Sequence, residues 1–250
     1  MTSSLATRRA GRATSVLGAA AVSTLGFTVV LGLFVTPPDR VQGDLVRLLY
    51  LHPPIAWVMY LAVGVMALAS ALYLVPRTRS RFWDLTAGAS AEIGALFCAL
   101  TLVTGSIWGR PTWGVWWTWD ARLTLTALML ALLLGDLALR RVPSDVTLRS
   151  TRSAVAGVLI VVTVPLNHMA VEWWRTLHQP ATIVRPDLDP TIDGSMLWTL
   201  LLGFFAMTLV YSWLLIHRFR LERLVEEIDD NDLRSALLER RAEGDEVSVG

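Results

Sequence analysis

The sequence predicts an all-α integral membrane protein, a six-transmembrane-helix bundle with both termini cytoplasmic, and three observations carry that expectation. First, 54% of the 250 residues are hydrophobic and only 17% are charged, against roughly 25% charged in an ordinary soluble domain. A mean hydropathy of +0.51 would leave a water-soluble globule with large apolar patches exposed. Second, uncharged apolar stretches of spanning length recur along the chain, and six spans of about 20 residues fill about half of it. Third, the arginines are unevenly shared between the connections, which orients a bundle because basic residues stay on the cytoplasmic side. The same composition excludes a disordered chain, a collagen-like repeat and a disulfide-stapled secreted domain. All 22 basic residues are arginine and the formal net charge is +1, but no dense basic stripe is present, so no nucleic-acid partner is expected.

In order, the spans are expected over residues 13–38, 48–76, 85–109 (interrupted by Glu92), 123–139 (with Asp136 near its end), 153–171 and 194–216. The first follows Arg8, Arg9 and Arg12 and has the outline of a signal peptide. Its apolar run is longer than a signal core and no clean small-residue cleavage site follows, so an anchored helix is expected. One side of the bundle collects Arg8, Arg9, Arg12, Arg77, Arg79, Arg81, Arg140, Arg141, Arg149, Arg152 and the six arginines from Arg218 to Arg241, 16 of 22. The other side holds Arg40, Arg47, Arg110, Arg122, Arg175 and Arg185. Three connections therefore face outward, at residues 37–47, 107–122 and 172–193.

Beyond Arg218, Leu221, Leu224, Val225 and Ile228 recur at helical spacing before a break at Asp229 to Asp232, with Leu233, Leu237 and Leu238 after it. This tail reads as an amphipathic cytoplasmic helix pair or, more plainly, as a solvated continuation of the sixth helix. No internal repeat is visible, so residues 1–217 form one membrane domain and 218–250 a cytoplasmic amphipathic tail.

Five of the eleven tryptophans, Trp108, Trp113, Trp116, Trp117 and Trp119, fall in the second outward connection. Trp57, Trp83, Trp198 and Trp213 are scattered on or beside spans, whereas Trp173 and Trp174 sit in the third outward connection. An interfacial belt spreads its aromatics over many helix ends. Indoles concentrated on one connection and interleaved with glycines form either such an anchor or a platform for a large planar apolar ligand. Two of the four histidines, His52 and His178, lie on the same face. His52 precedes Pro53 and Pro54, which hold it at a helix mouth. Two imidazoles flanking an aromatic platform are what axial ligation of a haem iron needs. Arg122, Arg110 or Arg47 is then available for propionates, because a planar guanidinium matches a carboxylate bidentately.

The stretch Trp113-Gly114-Val115-Trp116-Trp117-Thr118-Trp119-Asp120-Ala121-Arg122-Leu123-Thr124 resembles the tryptophan-rich signature of the haem-handling proteins of cytochrome c biogenesis. Tyr50-Leu51-His52-Pro53-Pro54 and the run from His168 to Gln179, with the short six-span chain, resemble the haem exporter protein C type within that group. The resemblance covers nearly the whole chain. It implies His52 and His178 as axial ligands of haem b, bound non-covalently and transiently. Trp108, Trp113, Trp116, Trp117, Trp119, Asp120 and Arg122 would hold the ring and its edge. It implies haem delivery to a membrane-anchored haem chaperone, beside a small single-span subunit and ATP-binding cassette transporter subunits. The expected location is the bacterial inner membrane, in contact with lipid, with the site on the periplasmic side. Glu172 or Asp120 is a candidate to orient an imidazole.

Other residues narrow the function. Glu92 and His168 are ionisable groups within or near spans and count as functional candidates. Asp136 is explained by Arg140 four residues on, and His217 by the cytoplasmic interface. The only cysteine is Cys98, so neither a C-x-x-C redox pair nor a covalent haem attachment site exists in the sequence. No P-loop is present, so ATP hydrolysis belongs to a partner and no enzyme is expected. The competing classes are a haem b electron-transfer membrane subunit, which would place histidine pairs within its spans, and a substrate-translocating pore, which would show matched discontinuous helices.

Overall fold

The computed structural model describes residues 2–143, 145–180, 183, 191–192 and 194–249, with side chains not described at residues 1–10, 229–230, 233–234 and 236–250. Arg185 therefore lies outside the described residues, as do the side chains of Arg8, Arg9 and of the tail's Leu233, Leu237, Leu238 and last arginines. Helices are α1 (Thr2–Val30), α2 (His52–Leu74), α3 (Arg81–Trp113), α4 (Ala121–Arg141), α5 (Val146–Ile160), α6 (Thr163–Trp173) and α7 (Gly194–Val249). Among the described residues there is no strand, only an isolated bridge between Asp39 and Gly43. Six segments are long and apolar enough to cross a membrane, α5 and α6 together making the fifth. This matches the expected six-helix class.

The centre of the bundle is the pair α2 and α3, with α5 and α7 against α2, α4 against α3, and α1 against α7. Apolar transfer drives helices into a bilayer but not against one another, so close approach there depends on small residues and shape. A Cβ on Gly94 would touch the Ala62 Cβ at 3.4 Å, and Ala87 and Ala91 are buried on the same helix. Met59, Met66, Met129 and Leu133 fill the remaining space, all essentially inaccessible. The Ser90 hydroxyl donates to the Ala62 carbonyl at 2.8 Å and lies 2.7 Å from the Tyr211 hydroxyl, tying α2, α3 and α7 inside the core.

Three departures from the sequence reading shape the site. Helix α3 runs on through Trp108 and Pro111 to Trp113, so the second outward connection is only residues 114–120. At about 1.5 Å per residue a 33-residue helix spans about 50 Å, well beyond a hydrocarbon core of about 30 Å. The fifth span is not one helix: α5 ends at Ile160 and α6 begins at Thr163. Pro165 has no N–H for the Val161 carbonyl, which accepts from Val164 N at 3.0 Å, and the Thr163 hydroxyl donates to Ile160 O at 2.6 Å. Helix α7 passes through residues 229–232 without a break, so the tail's backbone continues the sixth helix rather than forming a pair.

The entrance to α2 is built from short-range turns. Asp39 Oδ1 accepts the backbone N–H groups of Val41 (2.8 Å) and Gln42 (2.7 Å), and Gly43 takes φ 57°, where a side chain would be strained. A 3-10 turn over Asp44–Tyr50 then delivers the chain to His52, with Pro53 and Pro54 in the first turn of α2, where a missing N–H is harmless.

Candidate functional site

At the end of the bundle that carries the α3 C-terminus, a cavity of ≈ 350 Å³ opens between α2, α3, α4, α6 and the third outward connection. Its walls bring together residues far apart in sequence: His52, Trp108, Trp113, Trp117, Arg122, His168 and His178. Pockets of this size, mostly apolar with few polar groups, are what bound small molecules occupy.

Helix α3 supplies one wall as a stripe at helical spacing, Thr101, Gly105, Trp108, Gly109 and Thr112, ending in Trp113. A Cβ on Gly109 would lie 2.9 Å from Trp113 Cε3, so the indole rests on bare backbone there. Gly114 closes the helix with φ 80°, its N–H donating to Arg110 O. Trp108 is 7% exposed, donates Nε1–H to Gln42 Oε1 at 2.9 Å, and meets the His52 ring edge-to-face at a centroid distance of 5.9 Å. The His52 ring is buried, with Nδ1 2.9 Å from the Thr104 hydroxyl oxygen.

His178 enters from the third outward connection. Its Nδ1 is 2.8 Å from the Gln179 carbonyl. A carbonyl only accepts, so Nδ1 carries the proton and Nε2 keeps its lone pair. Trp113 packs against this ring at 6.1 Å between centroids. Burial, reinforced by the Arg122 guanidinium, pushes the imidazole down to about 4, against the raising effects of the Gln179 carbonyl and Asp120. His178 is thus neutral at physiological pH, the form that binds metal.

The tryptophan segment divides. Trp108, Trp113 and Trp117 line the cavity, whereas Trp116 (60% exposed) and Trp119 (78% exposed) face away from it. Trp117 meets Trp119 edge-to-face, and its own Nε1–H is buried with no acceptor among the described residues. Asp120 does not line the cavity. It caps α4 by accepting from Leu123 N (2.9 Å) with one oxygen, and with the other it accepts from the Thr176 hydroxyl (2.8 Å). Thr176 Oγ1 in turn accepts from His178 N at 3.0 Å, so the hydrogen bonds from Asp120 lead to the backbone of His178, and its effect on the imidazole is through charge alone. Glu172 is exposed.

Of the three arginines considered for an anionic edge, only Arg122 lines the cavity. Arg47 is held by Asp44 and Gly32 O, and Arg110 donates to Gly114 O. None of the ion pairs among the described residues involves Arg122. Behind it, Tyr60 donates to Asn167 Oδ1 (2.5 Å), and Asn167 Nδ2 donates to Arg122 O (3.1 Å) and Thr126 Oγ1 (2.8 Å). Sequence reasoning missed this polar wall, since nothing local to Tyr60, Thr126 or Asn167 distinguishes them from packing residues. Glu92, by contrast, does not reach the cavity. It pairs with Arg218 in a separate charged pocket at the other end of α3. Asp136 pairs with Arg140 as its spacing predicts, and Arg140 also reaches Asp84.

Two imidazoles, three indoles, a guanidinium without a carboxylate and an orphan indole N–H suit a flat aromatic ligand with a metal at its centre and an anion on its edge. Comparison with known proteins agrees with that chemistry. Residues 2–234 match the family model described as heme exporter protein C. The chain is 44% identical over 207 residues to "Heme exporter protein C" of Haemophilus influenzae, covering 81% of each chain. It is 37% identical over 205 residues to that of Escherichia coli K12, covering 82% of this chain and 81% of the relative. It is also 36% identical over 225 residues to that of Bradyrhizobium diazoefficiens, covering 89% and 84%.

Proposed function

Because the chain belongs to the heme exporter protein C family, we propose that it binds haem in the cavity between His52 and His178 and delivers it for cytochrome c maturation. The protein is a multi-pass membrane delivery component. Haem is its cargo, held non-covalently as haem b, with His52 and His178 as axial ligands. The observation that carries this reading is the convergence of the two histidines with Trp108, Trp113 and Trp117 on one cavity.

Each residue then has a physical task. The indoles cover the porphyrin and exclude water, which strengthens ligation by neutral imidazoles. Arg122, which pairs with no carboxylate among the described residues, and the Trp117 indole N–H, which has no acceptor among them, receive propionates. Asp120, through Thr176, holds the backbone that presents His178. The outward-facing Trp116 and Trp119 form the surface met by a membrane-anchored haem chaperone. A small single-span subunit and ATP-binding cassette subunits complete the assembly, in the bacterial inner membrane with the cavity on the periplasmic side. The arginine distribution supports that orientation.

The test is the visible haem spectrum and pyridine haemochrome yield of detergent-purified wild type, His52→Ala and His178→Ala. Each variant is expected to retain less than about a tenth of the wild-type haem, a loss of a strong axial bond. Unchanged haem content in both would remove the axial-ligand assignment.

A further inference from the structure

We infer that Thr104 fixes His52 in the tautomer that presents Nε2 to the cavity, making Thr104 a positioning residue for iron ligation. The inference rests on the reading of His52 as a haem ligand. Its own basis is a hydrogen-bond count that involves no haem.

The Thr104 hydroxyl has one hydrogen and three neighbours. Leu100 O, one turn back on α3, is at 2.8 Å, Thr101 O at 3.3 Å and His52 Nδ1 at 2.9 Å. Both carbonyls only accept, and the Leu100 geometry is the usual back-bond of a helical threonine. The hydroxyl hydrogen therefore points along the helix, and the oxygen is left as an acceptor facing His52. Nδ1 must then donate, so a neutral His52 carries its proton on Nδ1 and its lone pair on Nε2. The reverse tautomer would need Thr104 to give up its helix bond in a buried setting, and it would put a hydrogen on the atom required for the metal.

The ring has no room to escape this choice. A Cβ on Gly105 would lie 3.1 Å from His52 Cε1, so the imidazole edge lies on the α3 backbone. Trp108, one turn of α3 further on, meets the ring edge-to-face, 78° between planes. Thr104, Gly105 and Trp108 thus hold the ring from successive positions of one helix face, and Nε2 has no hydrogen-bond partner among the described residues. His178 solves the same problem with a backbone carbonyl. His52 alone depends on a side chain, so its ligand strength is open to substitution.

The test uses the full-length protein in detergent, labelled with 15N-histidine, as wild type and as Thr104→Val, Thr104→Ser, His52→Ala and Thr86→Val. Thr86 is a buried threonine of α3 that donates only to Phe82 O, and it controls for loss of a helix back-bond. In the haem-free protein, the His52 nitrogen signals, assigned by their loss in His52→Ala, should report Nδ1–H in wild type, Thr104→Ser and Thr86→Val. Thr104→Val should shift them toward Nε2–H. In the loaded protein, haem transfer to excess apomyoglobin should be about tenfold or more faster for Thr104→Val, in line with losing the partner that orients a metal-ligating histidine. Thr104→Ser should restore the wild-type rate. Nε2–H in the wild type, or an unchanged tautomer and unchanged transfer rate in Thr104→Val, overturns the inference. Unaltered haem binding in His52→Ala instead sinks the ligand assignment, and the haem-free spectra then judge the tautomer separately.

Discussion

The two ends of α3 face the same physical problem, polar groups inside a membrane protein, and answer it in opposite ways. At the α3 N-terminal end charges meet charges: Asp84 contacts Arg81, Arg140 and the Ser150 hydroxyl, Arg140 also holds Asp136, and Arg218 is shared by Glu92 and Glu222. This pocket of ≈ 260 Å³ joins α3, α4, α5 and α7, and each carboxylate in its lining, Asp84, Glu92, Glu222 and Glu226, meets an arginine, although Arg140 Nη2, Ser153 Oγ and the neighbouring Asp136 Oδ1 are buried without a hydrogen-bond partner among the described residues. At the other end, Arg122 has no carboxylate and the Trp117 indole N–H no acceptor among the described residues, and both line a larger, greasier cavity. Opposite charges that meet each other hold helices together, whereas an arginine without a carboxylate and an indole N–H without an acceptor, set on a wide apolar cavity, suit the anionic edge of a ligand.

The comparison is broken hardest at the paired end. Asp84→Ala leaves Arg140 and Arg81 without a shared carboxylate in a buried site, and losing one partner of such a pair costs about 3–5 kcal/mol. The expected outcome is a large fall in melting temperature in detergent, with the haem-to-protein ratio of the folded fraction unchanged. A selective loss of haem from a normally stable variant would show that the two ends are not separate.

Acid should act at the cavity end. The His178 imidazole takes up its proton near 6.5 in an opened chain but only at about 4 when enclosed, because burial and Arg122 oppose its charge. Protons therefore favour the opened form as pH falls from about 6.5 to about 4, and add nothing further below that. Hydrogen-exchange protection factors of the backbone around Thr176 and His178 in the haem-free protein, normalised to the intrinsic exchange rate at each pH, should fall as pH drops through this window and stay flat above it. A smaller effect is expected from Gly109→Ala. Its methyl would displace Trp113, an overpacking of about 1–3 kcal/mol, read as weaker haem retention with both histidines intact.

Much of this contrast was legible in the chain because its signals are local. Apolar run length announced six spans, Asp136 and Arg140 sat one turn apart, and the histidines and tryptophans stood out by rarity and clustering. Contacts across long separations were not legible. Glu92 and Arg218 are 126 residues apart, and Glu92 alone reads equally well as a group lining a path. Thr104 and His52, or Asp120 and Thr176, meet only once the helices pack. Two backbone features were hidden for another reason: proline's effect depends on position. Pro111 is absorbed in the last turn of α3, whereas Pro165 follows a break at Val161 and Val162. In the tryptophan segment, spacing was legible on reflection, since Trp108 and Trp113 continue the Thr101, Gly105 stripe of α3, but composition drew all five indoles into one platform.

The smallest expected effect on haem content is also the sharpest test of that division. Trp116 and Trp119 expose most of their surface and line no part of the cavity, so replacing both with alanine removes nothing that touches bound haem. Trp119 does lean on Trp117, edge-to-face at 5.3 Å, so a modest loosening is expected, of the order of an aromatic pair at about 0.5–1.5 kcal/mol. Haem content of the double variant should stay near wild type, while Trp117→Ala should lower it. If the outward indoles form the hand-off surface, the double variant should keep its haem yet fail to co-purify with a membrane-anchored haem chaperone. Loss of haem from the double variant, to the level of Trp117→Ala, would show that the platform acts as one unit and that the inward and outward faces do not divide the work.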